Sequence, residues 1–196
     1  MSTKSALIII DLFSLFDFPE GRALGPAAVR AAGKAAMLMA AFDERDLPVV
    51  FANDNFGDWK RDFPGLIEAC RQRGGHAADI AERLAPQPRH YFILKPKHSA
   101  FLATPLPVLL AKLGVQRLIL AGMALDSCVL ATALDAHSRE YEAIVAWEAT
   151  AALPDRQKPA LQVLQRSGAA KVLDMREVTA LLDALPPKTP GPDQAR

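Results

Sequence analysis

The chain has 196 residues, 23 Lys and Arg against 22 Asp and Glu, a formal net charge of +1 and 51% hydrophobic residues. That length buries one sizeable core without needing a second domain, and a near-neutral charge offers no broad field to a nucleic-acid backbone or to cationic partners. Two cysteines cannot make a disulfide framework, and the apolar run between Ser5 and Asp11 is too short for a secretion signal or a membrane span. These features predict a cytoplasmic, reducing location with neither nucleic-acid nor membrane partners.

In chain order, short β-branched or apolar runs at 6–10, 48–52, 91–94, 117–121, 143–147 and 171–173 read as buried strands. Between them lie segments of helical character at 27–45, 63–73, 105–113, 127–140, 157–167 and 176–185. Strands apolar on both faces, joined by amphipathic crossovers, predict an α/β fold. The expected architecture is a three-layer, doubly wound, Rossmann-like sheet of about six mainly parallel strands with helices on both faces. Pro48, Gly114 and Gly168 punctuate this pattern without dividing it. One domain is expected over 1–185, followed by a disordered tail over 186–196, where Pro186, Pro187, Pro190, Gly191 and Pro192 leave almost nothing apolar to bury.

Ligands of doubly wound sheets bind beyond the carboxyl ends of the strands. The runs end, in order, in Asp11, in Asn53-Asp54-Asn55, in Lys95, in the turn from Gly122 to Cys128, and in Glu148-Ala149-Thr150. An acid, a lysine and a cysteine therefore converge on one edge. Cys128 opens a helical segment, where free N–H groups and the helix dipole lower a thiol pKa. Lys95 would stabilise the thiolate and Asp11 would accept the proton. The alternatives are a small buried Cys128, Asp11 as a turn former and Lys95 as a solvated head.

Three segments resemble the isochorismatase-like cysteine hydrolases, a family that includes nicotinamidases and N-carbamoylsarcosine amidohydrolases. They are Ala6-Leu7-Ile8-Ile9-Ile10-Asp11, then Lys95-Pro96-Lys97-His98-Ser99-Ala100-Phe101, and the stretch Gly122-Met123-Ala124-Leu125-Asp126-Ser127-Cys128-Val129 with the helix behind it. The resemblance implies Cys128 as nucleophile, Asp11 as the base that returns a proton to the leaving amine, and Lys95 as the cation holding the thiolate. It also implies a cis peptide between Met123 and Ala124, and an oxyanion hole from the backbone N–H groups of Ala124 and Cys128. The implied activity is metal-independent hydrolysis of a small amide or carbamoyl substrate through a thioester, in a homo-oligomer, dimer or tetramer, without a cofactor. The alternatives are vinyl-ether hydrolysis of the isochorismate type, or a non-catalytic member acting as a binding or oligomerisation module.

The chain also departs from the pattern. Where the family often has Gln-Asn-Asp-Phe after its acid, this chain has Phe13-Ser14-Leu15-Phe16, and the segment Asn53-Asp54-Asn55-Phe56-Gly57-Asp58-Trp59 has no histidine. No metal is expected, and His76, His90, His98 and His137 read as surface or capping residues. Asp54 and Asp58 read as turn residues. Phe16, Asn55 and Trp59 are candidates for the substrate pocket, with core packing as the alternative for the two aromatics. Asp126 and Thr132 read as structural, and Cys70, beside Leu66 and Ile67, as buried and inert.

Overall fold

The computed structural model describes residues 3–54 and 56–184. The first strand, β1 (Ser5–Ile10), is buried along its whole length, and its side chains divide by the two-residue period of a strand. Leu7 and Ile9 enter one core with Leu24, Ala28, Leu38 and Phe42 of α1 (Gly21–Glu44). Ala6, Ile8 and Ile10 enter the other, with Leu106 and Leu110 of α4 (Leu106–Leu113) and Ala133 and Ala136 of α5 (Leu130–Ser138). This two-sided burial makes the sheet the middle of three layers.

The remaining strands are β2 (Val49–Asp54), β3 (Tyr91–Lys95), β4 (Arg117–Met123), β5 (Glu142–Ala151) and β6 (Lys171–Leu173). All neighbours pair in parallel, in the order β3-β2-β1-β4-β5-β6. Helices α2 (Phe63–Arg73), α3 (Gly75–Arg83) and α7 (Met175–Asp183) share the face of α1, and α6 (Pro154–Arg166) shares that of α4 and α5. From β1 the chain winds outward to β2 and β3, then crosses back to β4 on the other side of β1. The crevice of such a sheet opens at that reversal, between the carboxyl ends of β1 and β4. Gly122 lies there with φ 121°, and a Cβ on it would fall 2.0 Å from the Ile10 carbonyl oxygen. Only glycine lets the two strands approach this closely.

Several elements differ from the sequence expectation. Strand β5 runs on to Ala151, so Glu148, Ala149 and Thr150 lie within it rather than beyond its end. Helix α1 starts at Gly21 and continues through Pro26. Helix α3 follows the Gly74-Gly75 turn, whose φ values of 74° and 57° interrupt one helix and let the next begin. Its buried Ala77, Ile80 and Ala81 follow the i, i+3, i+4 spacing of a helix face. The segment expected as one helix over 127–140 splits into a π-helical turn, Leu125–Val129, and α5. The expected boundary between domain and tail lies outside the described residues. Among the described residues no helix is long and apolar enough to cross a membrane.

Candidate active site

Asp11 is the first residue past β1 and adopts φ 52°, a left-handed conformation that aspartate tolerates better than most residues. Its carboxylate is clamped from two strands. The Asp54 N–H donates to Oδ1 at 2.6 Å, and Lys95 Nζ lies 2.7 Å from Oδ2. Lys95 ends β3, in register with Asp54. Its ammonium also donates to the Lys97 carbonyl oxygen at 3.0 Å and lies 3.6 Å from Cys128 Sγ. Asp11 is 5% exposed and Lys95 fully buried, so neither is a solvated head or a plain turn former. The Cys128 thiol, half-buried on the π-helical turn, completes the group, close enough to the Asp11–Lys95 pair for both charges to act on it.

Burial pushes the Asp11 carboxyl above its usual range, and the Lys95 charge with the hydrogen bonds from Cys128, Lys95 and Asp54 offsets only part of that. Burial pulls the Lys95 ammonium down, but the charges of Asp11, Cys128 and Asp54 outweigh it and leave its pKa raised. The Cys128 thiol is pushed up to about 12, by burial first and the Asp11 charge second, against the opposing pull of Lys95. The sequence reading expected a lowered thiol pKa. The structure reverses that sign because burial disfavours the thiolate and the neighbouring Asp11 charge repels it. The resting sulfur is thus a thiol, standing beside the salt bridge between Lys95 and Asp11.

Surrounding residues hold this geometry. The Asn53 side chain accepts from the Phe13 N–H at 3.1 Å and donates to the Phe13 carbonyl at 2.8 Å, tying the end of β2 to the segment after Asp11. On the other side, the Ser99 hydroxyl donates to Asp135 at 2.6 Å and the Ala100 N–H to Thr132 Oγ1 at 3.0 Å. Thr132 in turn donates to the Cys128 carbonyl at 2.7 Å. The string from Lys95 to Phe101 is therefore bolted to the helix that follows Cys128. Arg156 reaches both Glu20 and Asp126, linking α6 to the turn that carries Cys128.

A family model described as the isochorismatase domain matches residues 5–177. The chain belongs to the isochorismatase family. It is 35% identical over 136 residues to the uncharacterized isochorismatase family protein YaaI of Bacillus subtilis, covering 69% of this chain and 74% of that one. It is 31% identical over 153 residues to the maleamate amidohydrolase of Pseudomonas putida, covering 74% and 71%. The solved N-carbamoylsarcosine amidase of Thermoplasma acidophilum superposes with a TM-score of 0.68 at 28% identity, over 88% of this chain and 97% of that one.

Within this isochorismatase-family fold the other expected residues are more dispersed. The Met123–Ala124 peptide is cis. Phe16 is half-buried against Phe18 and His76, with ring centroids 6.3 Å apart in each pair. Trp59 is 76% exposed, which excludes core packing for it. Asn55 lies outside the described residues. Asp54 does more than shape a turn, since its N–H holds Asp11 and its carboxylate stands 4.0 Å from Lys95. His90 is not a surface residue: its side chain is 2% exposed and its Nε2 pairs with Asp43 at 3.0 Å. His98 is exposed as expected, but its Nδ1 lies 3.6 Å from Cys128 Sγ. Its place three residues past Lys95, in the motif that closes on Cys128, was the one available signal. Among the described residues no three His, Cys, Asp or Glu side chains form a group that could hold a metal ion.

Proposed function

We propose that this protein is a cysteine amidohydrolase that cleaves a small amide or carbamoyl compound, independently of a metal, through a thioester on Cys128. The observation that carries the reading is the Cys128 sulfur 3.6 Å from a buried lysine that is itself paired at 2.7 Å with a buried carboxylate. Family membership and the amidohydrolase relatives support it.

In this mechanism the sulfur bonds to the substrate carbonyl carbon while its proton passes to Asp11. The backbone N–H groups of Ala124 and Cys128 are the donors we assign to the carbonyl oxygen, whose negative charge peaks in the tetrahedral intermediate. Asp11 then gives the proton to the leaving nitrogen, the C–N bond breaks, and an acyl thioester remains for water to hydrolyse. Lys95 keeps Asp11 anionic in a buried site and lies within reach of the developing sulfur charge. Phe16, Asn55 and Trp59 remain our candidates for the pocket wall. Assembly into a dimer or tetramer belongs to the same reading, supported by apolar side chains left exposed on helices, such as Met37 and Val108, and sedimentation tests it. A cytoplasmic location fits two free cysteines.

The test is ammonia release from a panel of small amides and carbamoyl compounds that includes maleamate, nicotinamide and N-carbamoylsarcosine. Wild-type protein should hydrolyse at least one of them, and Cys128→Ala should lose about a thousandfold or more of that rate. Undiminished hydrolysis by the alanine variant would sink the covalent mechanism.

A further inference from the structure

The acid, the lysine and the cysteine leave one neighbouring group without a task. His98 Nδ1 lies 3.6 Å from Cys128 Sγ, as close as Lys95 Nζ, and 3.2 Å from Ser127 Oγ. Asp11 and Lys95 meet the sulfur from the buried interior, whereas the His98 ring is exposed and meets it from solvent. The two groups that converge on Nδ1 are a hydroxyl and a thiol, both able to donate. With the ring proton on Nε2, the Nδ1 lone pair accepts from the Ser127 hydroxyl and faces the sulfur, whose single proton is assigned to Asp11. The backbone beneath the ring is fixed on both sides, by Lys95 at the end of β3 and by the bond from Ser99 to Asp135.

Asp11 is less well placed for the second half of the reaction. One carboxylate oxygen is occupied by the Asp54 N–H, the other by Lys95, and the group lies buried beneath the sulfur. A water attacking the thioester arrives from solvent, on the side where the imidazole stands.

We propose that His98 is a further catalytic residue, the base that takes a proton from the water that hydrolyses the Cys128 thioester. This rests on the thioester reading given above. In the step, the water oxygen bonds to the thioester carbonyl carbon while one water proton moves to His98 Nδ1. The C–S bond then breaks with its electron pair on sulfur, and the acyl group departs as a carboxylic acid that retains the second water proton. The imidazolium returns its proton to the sulfur, restoring the thiol and the neutral ring.

The test uses 4-nitrophenyl acetate, which acylates a nucleophilic thiol whatever the natural substrate is. Wild type, His98→Asn and His98→Gln are treated with it, nitrophenolate release is followed, and loss of the acetyl group from desalted protein is read by intact mass. The variants should acetylate at the wild-type rate and lose the acetyl group at least about tenfold more slowly. Added imidazole should restore deacetylation in His98→Ala. Asparagine keeps a hydrogen-bonding atom near the Nδ1 position but takes up no proton, so wild-type deacetylation in His98→Asn would reduce His98 to a positioning residue and overturn the proposal. Equal slowing of acetylation and deacetylation would overturn it as well. No acetyl group on Cys128 in any of these proteins, wild type included, would instead overturn the thioester reading itself.

Discussion

Lys95 Nζ stands 2.7 Å from Asp11 Oδ2 although β2 lies between the strands that carry the two residues. Adjacent strands are about 4.8 Å apart, so the pair bridges two spacings, roughly 10 Å of sheet. Only a long side chain crosses that distance, and only a charged one offsets the desolvation of the carboxylate it reaches. The same ammonium stands 3.6 Å from the Cys128 sulfur on the turn after β4, so one side chain links three strand ends. The site depends on that reach, and substitutions around it have separable consequences.

Replacing Asp11 with Asn should separate thiol reactivity from turnover. In the wild type, burial and then the Asp11 charge hold the Cys128 thiol near 12, so iodoacetamide should label it slowly at pH 8. Removing the Asp11 charge leaves Lys95 to favour the thiolate, so the thiol pKa falls and labelling at pH 8 should accelerate. Hydrolysis should meanwhile drop by about a thousandfold, because the proton has lost its acceptor. Labelling no faster in Asp11→Asn than in wild type would contradict the assigned electrostatics.

Ser99→Ala should loosen the segment that carries Lys95 and His98. Its bond to Asp135 is 2.6 Å long and partly buried, so the loss should cost about 1–2 kcal/mol in a urea titration. Because that segment sets distances to the sulfur, kcat/KM should fall by on the order of tenfold or more. A variant with reduced stability but intact kcat/KM would show that the anchor serves the fold alone.

Gly122→Ala should be among the most damaging single changes. The added Cβ would meet the Ile10 carbonyl oxygen at 2.0 Å, and φ 121° is unfavourable for alanine. The destabilisation should reach on the order of 3 kcal/mol or more, read by thermal or urea unfolding. A midpoint within error of wild type would mean that β1 and β4 can move apart at the reversal point.

Glu142→Gln should weaken the protein in a pH-dependent way. Glu142 accepts from Arg117 at 2.7 Å and from Lys171 at 2.8 Å, linking β4, β5 and β6. Burial alone would raise its pKa, but the hydrogen bonds from Lys171 and Arg117 and their charges outweigh it and hold the carboxyl below its usual value. Its contribution is therefore complete above the unfolded pKa of about 4.3 and is lost as pH falls through the lower folded value. The group is partly exposed, so the effect should be about 1 kcal/mol or less. Urea midpoints of wild type and variant should differ at pH 7 and converge near pH 3; an equal gap at both would rule out the charge as its source.

The alternation of short apolar runs and amphipathic segments was legible because a parallel sheet buries both faces of each strand, which leaves an unmistakable pattern in β1 and β4. The helix over Gly75–Arg83 was not, because two glycines looked like a loop and its buried face is mostly alanine. Asp11, Lys95 and Cys128 could be singled out because a polar residue ending an apolar strand is conspicuous. Phe16 and Trp59 could not be placed, since an aromatic residue in a loop carries no mark of what it faces.

By itself the sequence determined the doubly wound sheet and the three side chains brought to its carboxyl edge, because strand ends are fixed by local patterning and their convergence by the handedness of the crossovers. Tertiary structure alone decided the electrostatics. Whether a cysteine is acidic or not depends on its exposure to water and its distance from charges, and burial, with the Asp11 charge second, turned an expected low thiol pKa into one near 12. It also decided which histidine stands beside the sulfur, because His98 and Cys128 are separated by thirty residues in the chain and by 3.6 Å in space.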